Sequence, residues 1–379
     1  MTPKWVVVAV AALAGVALLP REANGPAPVA LAALANLAAC GVSLVLSDGP
    51  RPWWTLAGPV LIAGLALSTP PVPWPAVLWA GGLESLVVLF QALGLDPFAT
   101  FAPHAGGARL GLYGTLGNPD FVASVLSLTV PLGVVAALRS SRPRLAGASV
   151  ALQLLGLALL RSFASALSLA TAAIVVALAG GLRGTRGLRT FALVLAAGIA
   201  VTAVPLVGRS PGSVLRGRWY LVATAAPHVR EAPWLGQGPG VVVLRWPEWE
   251  LERWRARCGT DPACVASHPE RRFAALQDHV HDDWLERLLE SGIAGLLALV
   301  ALFLSAFLAA LRRGTPEGTG VAAALASLAV RATVDFPLSR PADLVLLAVL
   351  CGAAAQRGVV SVDAPGPSPP DSPPRGGAS

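Results

Sequence analysis

The chain has 379 residues, of which 55% are hydrophobic and only 13% are charged, and its mean hydropathy is +0.65. Soluble proteins carry about 25% charged residues, so the composition excludes a soluble enzyme and indicates a polytopic membrane protein. The net charge of +7 does not indicate nucleic-acid binding, because Lys4 is the only lysine and most arginines lie in short segments between apolar runs, as in cytoplasmic loops.

The apolar runs predict a bundle of membrane-spanning helices. A helix needs about 20 apolar residues to cross a bilayer, within a range of about 17–25. The first run begins at Trp5, and we interpret it as a transmembrane helix because no small-residue cleavage site stands out before Arg21. The fold class is therefore predicted to be all-α, a polytopic transmembrane bundle of about 11–12 spans. The predicted spans are 5–20, 27–47, 53–69, 73–94, 119–138, 144–160, 163–180, 188–207, 291–311, 319–335 and 341–357.

Arginine-rich connections predict the orientation and the domain organisation. The connections 139–144, 183–189 and 312–313 are rich in arginine, which places them in the cytoplasm. The long polar stretch before residue 291 then faces outward. The predicted parts are N-terminal spans (1–207), an outward loop with short amphipathic helices (208–290), C-terminal spans (291–357), and a tail (358–379) whose Pro- and Ser-rich composition predicts disorder.

The outward loop is the largest extramembrane part. Its Trp- and Arg-rich segment 245–255 is typical of an amphipathic helix on the bilayer surface; the alternative is a solvated helix that packs on its own loop. Cys258 and Cys264 flank a short turn, and they form either a small disulfide, if the loop faces an oxidising compartment, or two free thiols. Cys40 and Cys351 lie in apolar runs, which is typical of packing residues.

The segment 279–292 concentrates titratable side chains where the polar loop meets an apolar helix. We predict a helical run from about 270 to 290, in which His281 shares a face with Asp278 and His279 shares another with Asp283 and Arg287. Asp283 and Arg287 have the spacing of a stabilising ion pair.

His281 has no such structural explanation. A neutral imidazole oriented by Asp278 or Asp282 could accept a proton from a hydroxyl. Two alternatives are a surface histidine at a helix end and a metal site built on the sequence His-x-His-Asp-Asp, which is residues 279–283. No further cluster of metal ligands accompanies them.

Further candidate residues lie in three segments. Arg216 and Arg218 follow a predicted span and suit a lipid phosphate, although interfacial snorkelling also explains them. The glycines of 231–240 do not follow a strand, which excludes a dinucleotide fingerprint. Asn118 before Pro119 predicts a helix start. The remaining candidates are Arg109, an outward cation, and Arg331 with Asp335, four residues apart at the end of a span.

Taken in order, these segments resemble the O-antigen ligase family of bacterial membrane glycosyltransferases, which also includes polysaccharide polymerases and protein O-oligosaccharyltransferases. The matching pieces are Gly114–Ala123, Gly217–Tyr220, Pro233–Gly240, His281–Leu285 with Glu290–Gly295, and Asp335–Leu338, so the resemblance covers roughly 105–355. Asp282 departs from the asparagine that usually follows the family's histidine. The family's Ser-Arg-Gly at a span start is replaced by Arg161-Ser162-Phe163, which puts a role for Arg161 in doubt.

The resemblance implies a GT-C-type helical fold in the bacterial inner membrane, with the long loop and the active site facing the periplasm. It implies a glycan donor on undecaprenyl pyrophosphate and a hydroxyl acceptor on lipid A-core, a growing glycan or a protein. His281 is the implied catalytic residue, and Arg218, Arg216, Arg109 and Asn118 are expected to bind the pyrophosphate or substrate. Asp282, Asp278, His279 and Glu290 are expected to support them.

The implied chemistry requires neither a metal nor a cofactor. Guanidinium groups can stabilise the charge that grows on a pyrophosphate leaving group, and a histidine base can activate the acceptor hydroxyl. Attack from the opposite face of the sugar would invert the anomeric centre. A polymerase or a protein glycosyltransferase differs only in its acceptor, whereas a polysaccharide transporter is the more distant alternative and would show repeated broken spans.

Overall fold

The computed structural model describes residues 28–47, 53–68, 74–98, 111–183, 193, 196, 198–200, 211–274 and 277–356. All regular structure in these segments is helical, which confirms the all-α prediction. The helices are α1 (Pro28–Leu46), α2 (Ala57–Ser68), α3 (Trp74–Ala92), α4 (Pro119–Arg139), α5 (Pro143–Leu160), α6 (Phe163–Arg183), α7 (Pro211–Ala225), α8 (Val241–Cys258), α9 (Pro262–Ser267), α10 (Asp283–Arg312), α11 (Pro316–Arg331) and α12 (Pro341–Ala355). Short 3₁₀ turns occupy Trp53–Leu56, Ala226–Glu231, Pro269–Phe273 and Pro337–Ser339.

Five of the described helices are long and apolar enough to cross a membrane, namely α1, α3, α4, α5 and α10. The helices α2 and α12 and the first 17 residues of α6 are shorter apolar segments. These findings support a multi-pass membrane bundle. The predicted span 5–20, most of 188–207, Arg109 and the tail 358–379 lie outside the described residues.

The bundle has two connected cores. One is formed by α1, α2, α10, α11 and α12, with Leu302 and Leu347 at its centre. The other surrounds α4, on which α3, α5 and α6 pack around Leu126 and Leu157. The apolar window of α4 is 78% buried, so α4 lies at the centre of the bundle.

The loop between α6 and α10 has a core of its own. Trp246 and Trp249 are fully buried and pack with Tyr220 and the first turns of α10. The alternative interpretation of segment 245–255, a helix packed on its own loop, is therefore supported, because its tryptophans face this loop core. Cys258 and Cys264 form a disulfide just beyond α8, whereas Cys40 and Cys351 are buried in the bundle, as expected of packing residues.

The predicted helical run from 270 to 290 is wrong in its first half. Helix α10 begins only at Asp283, and His281 has a left-handed backbone with φ of 60°. The side chain of Glu286 accepts a hydrogen bond from the backbone N–H of Val280 (3.1 Å), which holds the preceding segment away from the helix axis. Helical spacing therefore does not describe the surroundings of His279 and His281.

Helix α10 is broken at Gly292, where φ is 65°. The backbone N–H groups freed by this break donate to the loop before α8: Ile293 to Pro233 O (2.8 Å) and Ala294 to Trp234 O (3.2 Å). A Cβ atom at Gly292 would come within 2.3 Å of the Trp234 backbone, so only glycine fits at this crossing. The glycine-rich segment 233–240 therefore fixes the outer loop to the start of α10.

Candidate functional site

The centre of the candidate site is the carboxylate of Asp335, in the connection between α11 and α12. Only 1% of Asp335 is exposed. Its Oδ2 atom lies 2.9 Å from Nη2 of Arg331, and its Oδ1 atom accepts a hydrogen bond from Arg340. The same Oδ1 atom lies 3.6 Å from Nδ1 of His281. Three basic side chains from separate segments therefore converge on one buried acid.

The positive charges around Asp335 keep it ionised. Burial would raise the pKa of its carboxyl group, but Arg331, His281 and Arg340 outweigh burial and hold that pKa well below its ordinary value. Arg331 and Asp335, four residues apart in the sequence, form an ion pair at 2.9 Å.

Arg331 anchors the cluster in the bundle. It is fully buried, and its guanidinium donates to Ser165 Oγ of α6 (2.9 Å) and to the backbone oxygen of Asp120 in α4 (2.9 Å). A charged group in such a position is stabilised only when it is paired and hydrogen-bonded. Arg331 thus joins three helices beneath the site.

Arg340 is held by aromatic rings as well as by Asp335. Its guanidinium carbon lies 4.2 Å from the ring centroid of Phe121 and 4.3 Å from that of Phe336. Among the described residues, its Nε and Nη1 atoms have no hydrogen-bond partner. The ring contacts fix the guanidinium plane and leave these N–H groups for another acceptor.

Arg218 approaches the cluster from the outer loop, on α7. Burial lowers the pKa of its guanidinium, while the charges of Asp335 and Asp120 oppose this shift and those of Arg331 and Arg340 add to it. Arg218 therefore lies within electrostatic range of Asp335 and of the other two arginines. Its Nη1 atom is buried and has no hydrogen-bond partner within the described segments. Arg216, in contrast, is exposed.

His281 lies at the entrance of helix α10, and 32% of its side chain is exposed. Its ring makes an edge contact with Phe336 at a centroid distance of 4.6 Å. The Nδ1 atom of His281 thus faces the ionised carboxylate of Asp335, but at 3.6 Å it makes no hydrogen bond within the described residues.

The acid that faces the His281 ring at 3.6 Å is Asp335, whereas the sequence suggested Asp278 or Asp282. Asp282 is the N-cap of α10, and its carboxylate accepts hydrogen bonds from Trp284 N and Leu285 N (3.1 Å each). Burial raises the pKa of Asp282, although these two hydrogen bonds oppose the shift. Asp278 is exposed and lines a neighbouring cavity.

His279 also contacts Phe336, with its ring stacked at 4.4 Å. Its Nδ1 atom is 2.7 Å from Oε1 of Glu286. Burial would lower the pKa of His279, but the Glu286 carboxylate outweighs burial and raises it. His279 therefore pairs with Glu286, whereas His281 faces Asp335.

Asp283 and Arg287 do not form the ion pair predicted from their spacing. Asp283 is buried and accepts from Leu338 N (2.8 Å), and Arg287 donates to Cys40 Sγ (2.8 Å). Within the described chain, no nitrogen of the Arg287 guanidinium lies within 4.0 Å of a carboxylate oxygen of Asp283. Both side chains connect helix α10 to other segments instead.

Glu290 and Asn118 have structural partners in the fold. The Oε1 atom of Glu290 accepts from Gly240 N (2.6 Å), and its backbone oxygen accepts from Gly238 N (3.0 Å) and from the hydroxyl of Ser43. Asn118 caps α4, where its Oδ1 accepts from Asp120 N (2.8 Å), as the sequence predicted. Glu290 thus holds the glycine-rich segment in place, and Asn118 holds the start of the helix that carries Phe121.

Sequence reasoning missed Arg340, Ser165 and Phe336 as parts of the site. Arg340 stands before Pro341 at a helix start, but only the return of the chain from α11 to α12 brings it to Asp335. Arg161, doubtful from the sequence, is the exposed left-handed C-cap of α5 with φ of 52°. The described residues contain no group of three or more metal-binding side chains.

Comparison with known proteins supports the resemblance recognised from the sequence motifs. The family model described as O-antigen ligase matches residues 126–300, a region that runs from within α4 to the middle of α10 and includes Arg218 and His281 but not Arg331, Asp335 or Arg340. No curated protein matches the chain. Residues 126–300 of this multi-pass membrane protein are thus similar to the O-antigen ligase family.

Proposed function

We propose that the protein is an O-antigen ligase that moves a glycan from undecaprenyl pyrophosphate to a hydroxyl of lipid A-core. The proposed reaction takes place at the periplasmic face of the bacterial inner membrane. The observation that carries the proposal is the convergence of Arg218, Arg331, Arg340 and His281 around the ionised Asp335.

The arginines supply the proposed donor site. Arg218 and Arg340 keep buried N–H groups that have no hydrogen-bond partner in the described chain, although Nη1 of Arg340 lies 3.9 Å from Asp343 Oδ2, so they can donate to phosphate oxygens. As the bond between the sugar and the phosphate breaks, negative charge grows on the pyrophosphate. Fixed guanidinium groups in a poorly solvated site stabilise that charge without a metal ion.

His281 supplies the proposed base. Its Nε2 atom accepts the proton of the acceptor hydroxyl as the oxygen attacks the anomeric carbon. The bond from that carbon to the phosphate oxygen breaks, and its electron pair leaves with undecaprenyl pyrophosphate. Attack opposite to the leaving group inverts the configuration. Asp335 orients the imidazole and stabilises its protonated form.

The acceptor separates the ligase from its relatives, since a polymerase or a protein O-oligosaccharyltransferase would use the same base and donor site. The deciding experiment is the lipopolysaccharide profile of a strain that lacks this chain. Loss of long-chain material from the core, with lipid-linked polymer retained, supports the ligase. Core that carries only single repeats indicates a polymerase, and loss of glycoprotein alone indicates transfer to protein.

A further inference from the structure

A cavity lies next to the candidate site, and its lining residue His279 stacks on Phe336. It has a volume of about 340 Å³, at the lower end of the roughly 300–1,000 Å³ typical of ligand pockets. Helices α1, α2, α10 and α12 enclose it together with the segment that carries Asp278 and His279. The proposed donor residues Arg218, Arg331 and Arg340 do not line it.

Asn36 is the most informative residue of this cavity. It lies on the membrane-spanning helix α1 and is 1% exposed. Neither its amide nitrogen nor its amide oxygen has a hydrogen-bond partner among the described residues. An amide in this position is costly unless it is bonded, and polar groups within spanning helices usually mark a substrate path. The side chain offers one donor and one acceptor to a ligand, which is the pattern of a hydroxyl group.

The charged residues of the cavity favour an uncharged ligand. Glu286 is bound by His279, and Glu290 is bound by Gly240 N. Arg287 donates to Cys40 Sγ, while its Nε atom has no partner within the described chain. With Asp278 also in the lining, acids outnumber arginines, so a phosphate or carboxylate would be repelled.

The remaining lining favours an amphipathic ligand. Ile62, Leu299, Leu344 and Leu347 provide an aliphatic wall between spanning helices, and most of the lining surface is apolar. A glycolipid that is already in the bilayer can reach such a wall with its apolar part and place hydroxyl groups at Asn36 and Arg287. A hydroxyl on a folded protein would have to enter between membrane helices.

The cavity also adjoins the proposed base. Phe336 contacts His279, which lines the cavity, and His281, which faces Asp335. Leu338 and Ser339 line the cavity immediately before Arg340 in the chain. We propose that this cavity binds the uncharged, hydroxyl-bearing part of a glycolipid acceptor, an inference that rests on the proposed function because it takes the arginine cluster around Asp335 as the donor site.

The test is the substitution Asn36→Leu, which keeps the size of the side chain and removes its hydrogen bonds. Binding of fluorescent lipid A-core glycolipid to the full chain in nanodiscs is measured together with thermal unfolding. We expect binding of the glycolipid to be roughly tenfold weaker, because one or two hydrogen bonds to the ligand are lost. We expect no decrease in thermal stability, because the amide of Asn36 has no hydrogen-bond partner in the described protein. If Asn36→Leu does not accumulate, Asn36→Ala is measured in its place.

Gln153→Leu is the matched control. Gln153 is an equally buried amide, but it is bonded to Leu78 O (3.2 Å) and Thr129 (3.0 Å) and lies away from the cavity. This variant should lose thermal stability and bind the glycolipid normally. A Kd unchanged by Asn36→Leu, or weakened equally by both variants, would overturn the inference and indicate a cavity that holds only water.

A parallel transfer assay separates this inference from the proposed function. If wild-type protein transfers glycan and His281→Ala does not, while Asn36→Leu has a normal KM for the glycolipid, the cavity assignment fails and the proposed function stands. If the glycolipid binds in an Asn36-dependent manner but no transfer occurs, the cavity assignment stands and the proposed reaction fails.

Discussion

The Nδ1 atom of His281 lies 3.6 Å from the Oδ1 atom of Asp335, although the two residues are far apart in the chain and are carried by different helix connections. Asp335 also holds Arg331 and Arg340. One buried carboxylate therefore connects the proposed base to the proposed pyrophosphate site, and changes at either residue should affect both binding and proton transfer.

Substitution of His281 should abolish transfer without loss of the protein. His281→Ala removes the base, and His281→Asn does so with a residue that tolerates the left-handed backbone at φ of 60°. We expect loss of at least about 100-fold in kcat for both variants, with normal accumulation in membranes. His268→Gln, on the outer loop, is the control. Near-normal glycan transfer in either His281 variant would exclude the base assignment.

Asp335→Asn should impair both the stability and the activity of the protein. The amide keeps the shape of the carboxylate but leaves buried Arg331 and Arg340 without their counter-charge, which costs about 3–5 kcal/mol when one partner of a buried pair is removed. Thermal unfolding in detergent measures the first effect and kcat measures the second. The surface change Glu248→Gln should alter neither. An Asp335→Asn protein as stable and active as wild type would contradict the central role of this carboxylate.

Arg218→Lys should raise the KM for the lipid-linked donor, because an ammonium group cannot reproduce the paired N–H donors of a guanidinium. Arg216→Lys is the matched comparison on the same helix, and its exposed position predicts a smaller effect. The measurement is the donor dependence of transfer in proteoliposomes. Equal donor KM values for wild type and Arg218→Lys would favour interfacial snorkelling over phosphate binding.

The pairing of His279 with Glu286 should make stability depend on pH. The folded-state pKa of His279 is raised above its ordinary value of 6.5. The contribution of His279 to the free energy of unfolding is therefore fully present below pH 6.5 and is lost as the pH rises through the raised pKa. Thermal unfolding measured from pH 5.5 to higher pH should show this loss in wild type. His279→Gln should flatten the curve, and an unchanged curve would show that another group titrates.

Chelators should leave glycan transfer unchanged, because the proposed charge stabilisation uses guanidinium groups. Transfer is measured after dialysis against EDTA, with and without added Mg²⁺ or Mn²⁺. Inhibition that is reversed by one of these ions would revive the metal-site interpretation of His279 and His281.

Much of the architecture follows from the sequence. The long apolar runs predict α1, α3, α4 and α5 to within a few residues, because a bilayer requires helices of a certain length. The start of α4 at Asn118 and Pro119 follows equally from local capping chemistry. Such features depend on neighbouring residues and on the solvent alone.

The surroundings of the candidate site could not be predicted in the same way. The helical periodicity applied to residues 270–290 fails because contacts outside that run determine where the two histidines lie. His279 pairs with Glu286 in the first turns of α10, and His281 faces Asp335 in a distant connection. The tryptophans of 245–255 look like membrane anchors in sequence, but they are buried in the core of their own loop.

By itself the sequence determined a helical membrane bundle, the positions of most described spans and the motifs of the O-antigen ligase family, because these depend on hydropathy, capping and local patterns. The tertiary structure alone decided that Asp335 faces His281, that Arg340 joins Arg331 at this carboxylate and that Phe336 contacts both His279 and His281. The physical reason is that electrostatic and packing contacts act over a few ångströms of space, and the folding of α10, α11 and α12 decides which residues share that space.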